Sequence, residues 1–597
     1  MAKRIFDAII GIMKLPKNLN KYQLFSFLGL FFIGLEVLAI VLALTNFFYW
    51  PILAGYLFFG GSFFLSLFVH NRQALKSASF LSATFLSLGF IIFLAFSFVP
   101  TVFSGRDQGS FSEAAVRLAQ NHQLAFSSTA SQEFFKIYGP GTALNFPGFN
   151  YTRSGSLITH FSLGYIAWLA TFYSLFGLIG FVIANSITFF LFLLAFFLLT
   201  ELHSSTKPAF WAFGCLFSSF VFAWLFKFTL SENIALAFIW FGLLELSLFF
   251  KFKKSLYLLG ALSAFLILTF TRIETWAFLL MLLVLFGIVQ KKTKFGLEKT
   301  LLKKTVWLLG GFFFVYLINI FVNNQFYLAS LKGLLRSFSP GESSSVPFSA
   351  VSYLFEIFSL YNILPFLIIG AIGLSYFLLK RNYVILVPAL IILPTFIYLI
   401  HPGISLDHPW MLRRFAFTII PGAIFYSILV IDRLFTKKIY ASILISILII
   451  TNLIISWPYF TFRENADLTA QTNQLSENFS NTDLILVDRL ASGDGWSMLG
   501  APMSFLFGKN AVYFFNPNDL AKIDTTKFSN VYLIVPDKNL AFYEKDGFLA
   551  KFSVYKDYAL DRTFLSTFDP EEMPSAPIGL PQKTENTTNG KIYLLNK

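Results

Sequence analysis

Apolar residues in this chain run on continuously for about 20 positions at a time, the length of a helix that crosses a bilayer. Polar residues are confined to the gaps. The runs fall at 24–45, 52–69, 78–99, 157–178, 180–200, 208–226, 229–250, 256–270, 274–290, 305–323, 361–379, 383–400, 415–431 and 439–457. Lipid offers no partner for backbone N–H and C=O groups, so the runs predict a mainly α polytopic bundle. A membrane β-barrel would show alternating segments of about 10 residues instead.

The gaps set an orientation. Lys3, Arg4, Lys14, Lys17 and Lys21 precede the first run, and Arg72 and Lys76 precede the third. By the positive-inside bias both lie in the cytoplasm. The first run is too long for the apolar part of a signal peptide, so no cleavage is expected. Three crossings then place 100–156 outside. Lys291, Lys292, Lys294, Lys303 and Lys304, then Lys380 and Arg381, then Arg433, Lys437 and Lys438, mark further inside loops. Loops 324–360 and 401–414, and all residues after Trp457, then fall outside. Between 157 and 207 the two directions disagree by one crossing. Lys251, Lys253 and Lys254 require an odd number of passes where two runs stand, so one of those runs should be re-entrant or broken, or its boundaries should shift. About 13 spans are expected.

After 458 the pattern changes. Short β-like runs appear at Asp483–Asp488, Ala511–Phe515, Asn530–Val535 and Lys591–Leu595, with Ala501–Phe507 and Asp519–Ile523 as intervening helices. This predicts a small extracytoplasmic α/β domain over 458–597. The proline-rich stretch Asp569–Asn589 reads as loop.

Composition narrows the class. Of 597 residues, 56% are apolar, 19% aromatic and 13% charged, and the mean hydropathy is +0.68. A soluble domain carries about 25% charged residues. The net charge of +14 is accounted for by inside loops rather than by a nucleic-acid-binding face. Cys215 stands alone, so disulfides and cysteine-held metals are excluded. No phosphate-binding glycine loop, zinc-protease helix, nucleophile elbow or dinucleotide fingerprint occurs.

The outer loops hold the remaining chemistry. Asp107 follows the third run, beside Arg106, and residues 109–121 read as an amphipathic helix with Phe111, Ala115, Leu118 and Ala119 on one face. Such a helix lies on the outer leaflet and holds Asp107 at the lipid–water boundary; a plain N-cap role for Asp107 is the alternative. Arg272 and Glu274 sit in a tight gap, as an ion pair closing a hairpin or as site residues. Arg413 and Arg414 lie outside, against the positive-inside bias, as phosphate ligands or as headgroup anchors. Lys332, Arg336 and Glu342 lie in a loop suited to an acceptor or a lid. His401, Asp407 and His408 share one loop; a divalent ion there is one reading and turns flanking a site another. Glu36 and Glu245 interrupt spanning runs, where an ionisable group is costly.

The order of these features resembles the C-type glycosyltransferases, which include dolichyl-phosphate-mannose–protein mannosyltransferases and bacterial lipid A aminoarabinose transferases. The loop Asp107-x5-Glu113-Ala114-Ala115-x2-Leu118-Ala119 resembles their first outer loop, and His160–Gly177 their second core helix. Leu268–Glu274 (LTFTRIE) resembles their Leu-Thr-Arg-x-Glu turn, and Arg413-Arg414-Phe415 with Pro421 their late outer loop. Gln108 stands where many relatives carry a second acid. The resemblance covers roughly 78–431. It implies a pre-core segment 1–77, a core 78–457 and the outer domain 458–597.

The resemblance also implies an activity: transfer of a sugar from a polyprenyl-phosphate donor to a hydroxyl or amine of a lipid, glycan or protein, at the outer face of the plasma membrane. Sugar nucleotides are made inside the cell, so an outward-facing enzyme needs a donor that crosses the membrane. A lipid-phosphate leaving group needs positive charge, for which arginine suits. The acceptor needs a base, for which one carboxylate suffices. On this reading Asp107 is the base, and Arg106, Glu113, Arg272, Glu274, His401, His408, Arg413 and Arg414 are substrate-binding candidates. No cofactor is required, and membrane lipids are the other partner. A lipid-linked-sugar flippase, an O-antigen ligase or polymerase, and a non-catalytic binding protein stay open as alternatives.

Overall fold

The computed structural model describes residues 19–71, 77–103, 106–293, 299–324, 326–328, 348–400, 402, 404, 412–495, 499–566 and 579–596. In chain order the first helices are α1 (Lys21–Leu44), α2 (Trp50–His70) and α3 (Ala78–Ala95). Then come α4 (Asp107–Asn121), α5 (Thr129–Tyr138), and a small antiparallel sheet of β1 (Gly141–Thr142), β2 (Phe149–Tyr151) and β3 (Leu157–Thr159). Next are α6 (Leu163–Phe176), α7 (Ile179–His203), α8 (Thr206–Ser218), α9 (Phe220–Phe226), α10 (Glu232–Phe252) and α11 (Ser255–Leu268). The helical part ends with α12 (Thr275–Thr293), α13 (Lys299–Val322), α14 (Phe348–Leu360), α15 (Leu364–Leu379), α16 (Tyr383–Ile392), α17 (Arg413–Ala416), α18 (Ile419–Leu434) and α19 (Lys438–Phe460).

Local chemistry explains several boundaries. Asn20 and Gln23 form a capping box that starts α1. Prolines in the first turn start α2 and α15. Lys253 ends α10 in the left-handed region, at φ 57°. Among the described residues, seven helices are long and apolar enough to span a membrane, or nine if each of two bent pairs counts as one span. This is a multi-pass membrane protein. The expected figure of about 13 is approached only by adding apolar helices of 10–17 residues. The run 208–226 is one of the bent pairs, kinked by 66° between α8 and α9. Helix α10 is buried along nearly all its length at the centre, whereas α2 and α13 show most of their apolar surface.

The run 157–178 is not one continuous helix. Its first residues are β3, and α6 is only 14 residues, about 21 Å. It lies along α4, with Phe111 edge-on to Tyr165 at 5.6 Å. So α7 alone carries the chain from the end bearing Asp107 to the end where Lys21 pairs with Glu201 at 2.6 Å. A single pass there agrees in parity with the lysines at 251–254. Helix α4 is not laid on lipid either. Most of its faces are buried, packed along α6 and against the C-terminal sheet region.

The C-terminal part is a sheet of β4 (Leu484–Asp488), β5 (Asn510–Phe514), β6 (Val531–Pro536), β7 (Phe552–Ser566) and β8 (Gln582–Leu595) in the order β5-β4-β6-β8-β7. The β4–β5 and β4–β6 pairs are parallel, and β8 pairs antiparallel with β6 and β7. The short helix Gly500–Phe505 makes the crossover between β4 and β5. Part of the stretch expected as loop is strand: Gln582–Asn589 pairs with Ala559–Ser566. Its partner β7 supplies the ladder that composition alone hides. Residues 569–578 lie outside the described residues.

Candidate active site

Four separate stretches of chain meet at one end of the bundle. Asp107 is the first residue of α4. Arg106, not Asp107, occupies the N-cap position, and no side chain caps the helix. The Asp107 carboxylate is therefore free to face outward, and Arg413 Nη1 donates to its Oδ2. A hydroxyl network fixes this helix start. Thr229 Oγ1 donates to the Gln108 carbonyl at 2.8 Å and contacts Ser112 Oγ at 2.7 Å and Thr101 Oγ1. The same segment is held from below by Lys227, which donates to the carbonyls of Tyr459, Phe460 and Phe462, each at 2.8 Å, at the end of α19. That is how a lysine neutralises a helix C-terminus.

Glu232 is the first residue of α10, where the helix dipole favours a carboxylate. Its Oε1 lies 2.8 Å from Arg272 Nη1 and 3.9 Å from Arg413 Nε. Arg272 sits in the turn between α11 and α12. It grips Glu274 with two nitrogens, at 2.7 and 3.3 Å, and stacks over Phe417 at 4.7 Å. The Tyr398 hydroxyl donates to Glu274 Oε1, and Arg414 lies over the Tyr398 ring at 5.7 Å. Trp240 Nε1 donates to the Phe417 carbonyl at 3.1 Å, so the central helix fixes the turn carrying both arginines.

Three carboxylates and three guanidinium groups thus share one site. Burial disfavours charge on Arg272 and Arg413, but Glu274 and Glu232 in the first case, and Glu232 and Asp107 in the second, raise both pKa values above the ordinary one. Burial alone would raise Glu274; the Arg272 charge and hydrogen bond reverse this and hold it at about 2. Arg272, Arg413 and Glu274 therefore stay ionised across the physiological range. Glu232 is 3% exposed, whereas the Asp107 and Arg413 side chains are 38% and 32% exposed and accessible to a ligand. His160 is a further neighbour: burial lowers its pKa, and the Asp107 charge opposes that.

Of the residues expected at the site, Asp107, Arg272, Glu274, Arg413 and Arg414 come together. Arg106 lies within electrostatic reach of Glu464. Glu113 is turned elsewhere: its Oε1 is 3.8 Å from Arg117, which bonds Ser504 Oγ at 2.7 Å and stacks on Phe126 at 4.6 Å. It serves the joint between the first outer loop and the C-terminal sheet, because six residues of helix put it on the face away from Asp107. His401, Asp407, His408, Lys332, Arg336 and Glu342 lie outside the described residues. Among the described residues no group of His, Cys, Asp or Glu could hold a metal.

An apolar groove of about 340 Å³ runs between α14, α15, α16 and α18, lined by residues including Phe358, Leu367, Phe396, Leu399 and Ile419. Phe396 and Leu399 lie within two residues of Tyr398 in sequence, and the groove lining itself is apolar.

No family model and no curated protein matches this chain. Among solved structures it is similar to the crystal structure of ArnT from Cupriavidus metallidurans bound to undecaprenyl phosphate. The likeness has a TM-score of 0.44 and 10% identity, and covers 80% of this chain and 95% of that one. A TM-score that low carries no argument about the site, whose chemistry stands on its own contacts.

Proposed function

We propose that this protein is an integral membrane glycosyltransferase. It takes a sugar from a polyprenyl-phosphate donor and passes it to an acceptor hydroxyl or amine at the outer face of the plasma membrane. The reading is carried by one observation: Asp107 meets Arg413, and Glu232 joins Arg413 to Arg272, so a carboxylate and two arginines from distant stretches share one site. The groove suits the polyprenyl chain and the arginines suit its phosphate. The basic loops at the opposite end support an extracytoplasmic position for the cluster.

The pairing of Asp107 with Arg413 gives the reaction an order. Donor phosphate competes with the Asp107 carboxylate for Arg413, and its arrival releases the carboxylate. Asp107 then takes the acceptor proton as the acceptor oxygen or nitrogen bonds to the anomeric carbon. The bond from that carbon to the phosphate oxygen breaks, and its electron pair leaves with the phosphate. Attack from the opposite face inverts the anomeric centre. Arg413, with Arg272 and Arg414, stabilises the charge that develops on the leaving phosphate. Glu274 and Tyr398 position Arg272 and Arg414.

The test is purified protein with a panel of labelled polyprenyl-phosphate sugars, read as release of free lipid phosphate. The wild type should release it with at least one donor. Asp107→Asn should lower the rate by about 100-fold or more, with donor affinity retained. Arg413→Ala should weaken donor binding instead. Wild-type rates from a folded Asp107→Asn protein would overturn the assignment.

A further inference from the structure

At the opposite end of the bundle, the last turns of α7, α10 and α18 meet the first turn of α16. They line an open pocket of about 270 Å³ whose polar lining is His203, Ser247, Lys251, Asn382 and Arg433, with Lys251, Asn382 and Arg433 exposed at its mouth. Among the described residues neither Lys251 nor Arg433 has a carboxylate partner. Their contacts are long hydrogen bonds to the carbonyls of Leu202, at 3.4 Å, and His203, at 3.3 Å. The nearby acids are engaged elsewhere: Glu201 with Lys21, and Asp432 with Ser204 and Lys438.

Basic residues in the last turn of a helix can serve only to balance its dipole. Two further features ask for more. Ser247 is fully buried, yet its Oγ has no hydrogen-bond partner, and His203 Nε2 has none either. A buried polar atom left unpaired is costly unless a partner fills the space beside it. In addition, α16 begins here with ten residues, and Asn382 makes no side-chain cap to its first-turn amides. That helix start presents positive partial charge to the cavity.

Two cations, a hydroxyl, an imidazole, an amide and a helix N-terminus face one space, and no carboxylate lines it. That donor set fits a tetrahedral oxyanion with several acceptor oxygens. Leu202, Val384 and Ile385 complete the wall and suit the start of an acyl chain. We propose that this pocket binds the phosphate group of an anionic membrane phospholipid, bridging the ends of α7, α10 and α18 to the start of α16. Basic pockets between helices at a membrane surface bind headgroups in this way. Since α16 leads into Tyr398 and α18 follows Arg413, an occupant would brace two elements that carry the site about 30 Å away. The inference needs only the membrane-spanning reading and survives if the protein transfers no sugar.

The experiment uses the full chain in neutral detergent, titrated with phosphatidylglycerol, phosphatidylcholine or inorganic phosphate. Thermal stability and native mass spectrometry are the readouts. Phosphatidylglycerol should raise the melting temperature and remain bound as one retained lipid, while phosphatidylcholine should do neither. Lys251→Gln and Arg433→Gln should each weaken that binding about fivefold. Ser247→Ala, which conserves the fold, should weaken it too. Equal binding of phosphatidylglycerol by wild type and Ser247→Ala, with unchanged affinity in either cation variant, would overturn the proposal. So would a full thermal shift from inorganic phosphate alone, which would make this a free-phosphate site.

Discussion

Glu232 touches two arginines at once, and this decides what its loss would do. It is nearly inaccessible to water, and it bridges Arg272 from α11–α12 and Arg413 from the last outer loop. Removing one member of a buried ionic group leaves the others uncompensated, at a cost of about 3 kcal/mol or more. Glu232→Ala should therefore lower the chemical-denaturation midpoint as well as activity, whereas Asp107→Asn, at a more exposed position, should lower activity alone. Denaturation curves of the two variants separate the cases. Asp107, Arg272, Arg413 and Arg414 were legible in the sequence because each is an ionisable residue in a short gap between long apolar runs. Glu232 was not, since the run beginning at 229 absorbs it as part of a span. Treating it as Glu36 and Glu245 were treated, as a charge inside a run, would have found it. Tyr398 gave no signal, because a tyrosine near a helix end is ordinary in a membrane protein. Glu245 itself has a plain structural use: it accepts from Ser26 at 2.6 Å and ties α10 to α1.

At the scale of elements, close backbone approach sets the position of Arg272. The Gly164 amide donates to the Phe270 carbonyl at 2.8 Å. A Cβ at Gly164 would stand 2.2 Å from Thr271 Oγ1 and 3.1 Å from the Phe270 backbone. Gly164→Ala must push the Arg272 turn away from α6. The expected result is a folded protein with turnover reduced by about 10- to 100-fold, read from initial rates alongside circular dichroism. A second joint is electrostatic. Burial would raise the Glu133 pKa, but hydrogen bonds from Lys136, Lys527 and the Asp524 amide lower it to about 2, from 4.5. Lys527 and Asp524 belong to the C-terminal part, so this joint clamps α5 to it. A carboxylate with a depressed folded-state pKa stabilises fully above its unfolded value and loses that contribution as pH falls. Protection of residues 129–138 from hydrogen exchange should hold above about pH 4.5 and fade toward pH 2. In Lys527→Met the fading should still begin near pH 4.5 but be smaller and complete at a higher pH. Element positions were largely legible because continuous apolar runs have one solution in lipid. The exceptions were α6 and β7–β8. There, length and partner strands, not local pattern, decide the outcome.

For the whole molecule, the two ends differ in kind: lysines and a phosphate-sized pocket at one, paired ions and the sheet region at the other. That polarity predicts sidedness. Cys215 is buried and gives little background, so single cysteines can report position. A membrane-impermeant maleimide added to intact cells should label a cysteine at Lys556, on exposed β7, and fail to label one at Lys254. The reverse pattern would invert the topology and remove the outer-face transferase reading. The short α6 is what keeps this arrangement in register. Were it turned across the bilayer instead of packed along α4, every segment after it would be threaded the opposite way. The arginines would then face the compartment where sugars are activated on nucleotides, and the sheet would fold on the ribosome's side. A helix folded back along its neighbour thus acts as the parity bit of the chain.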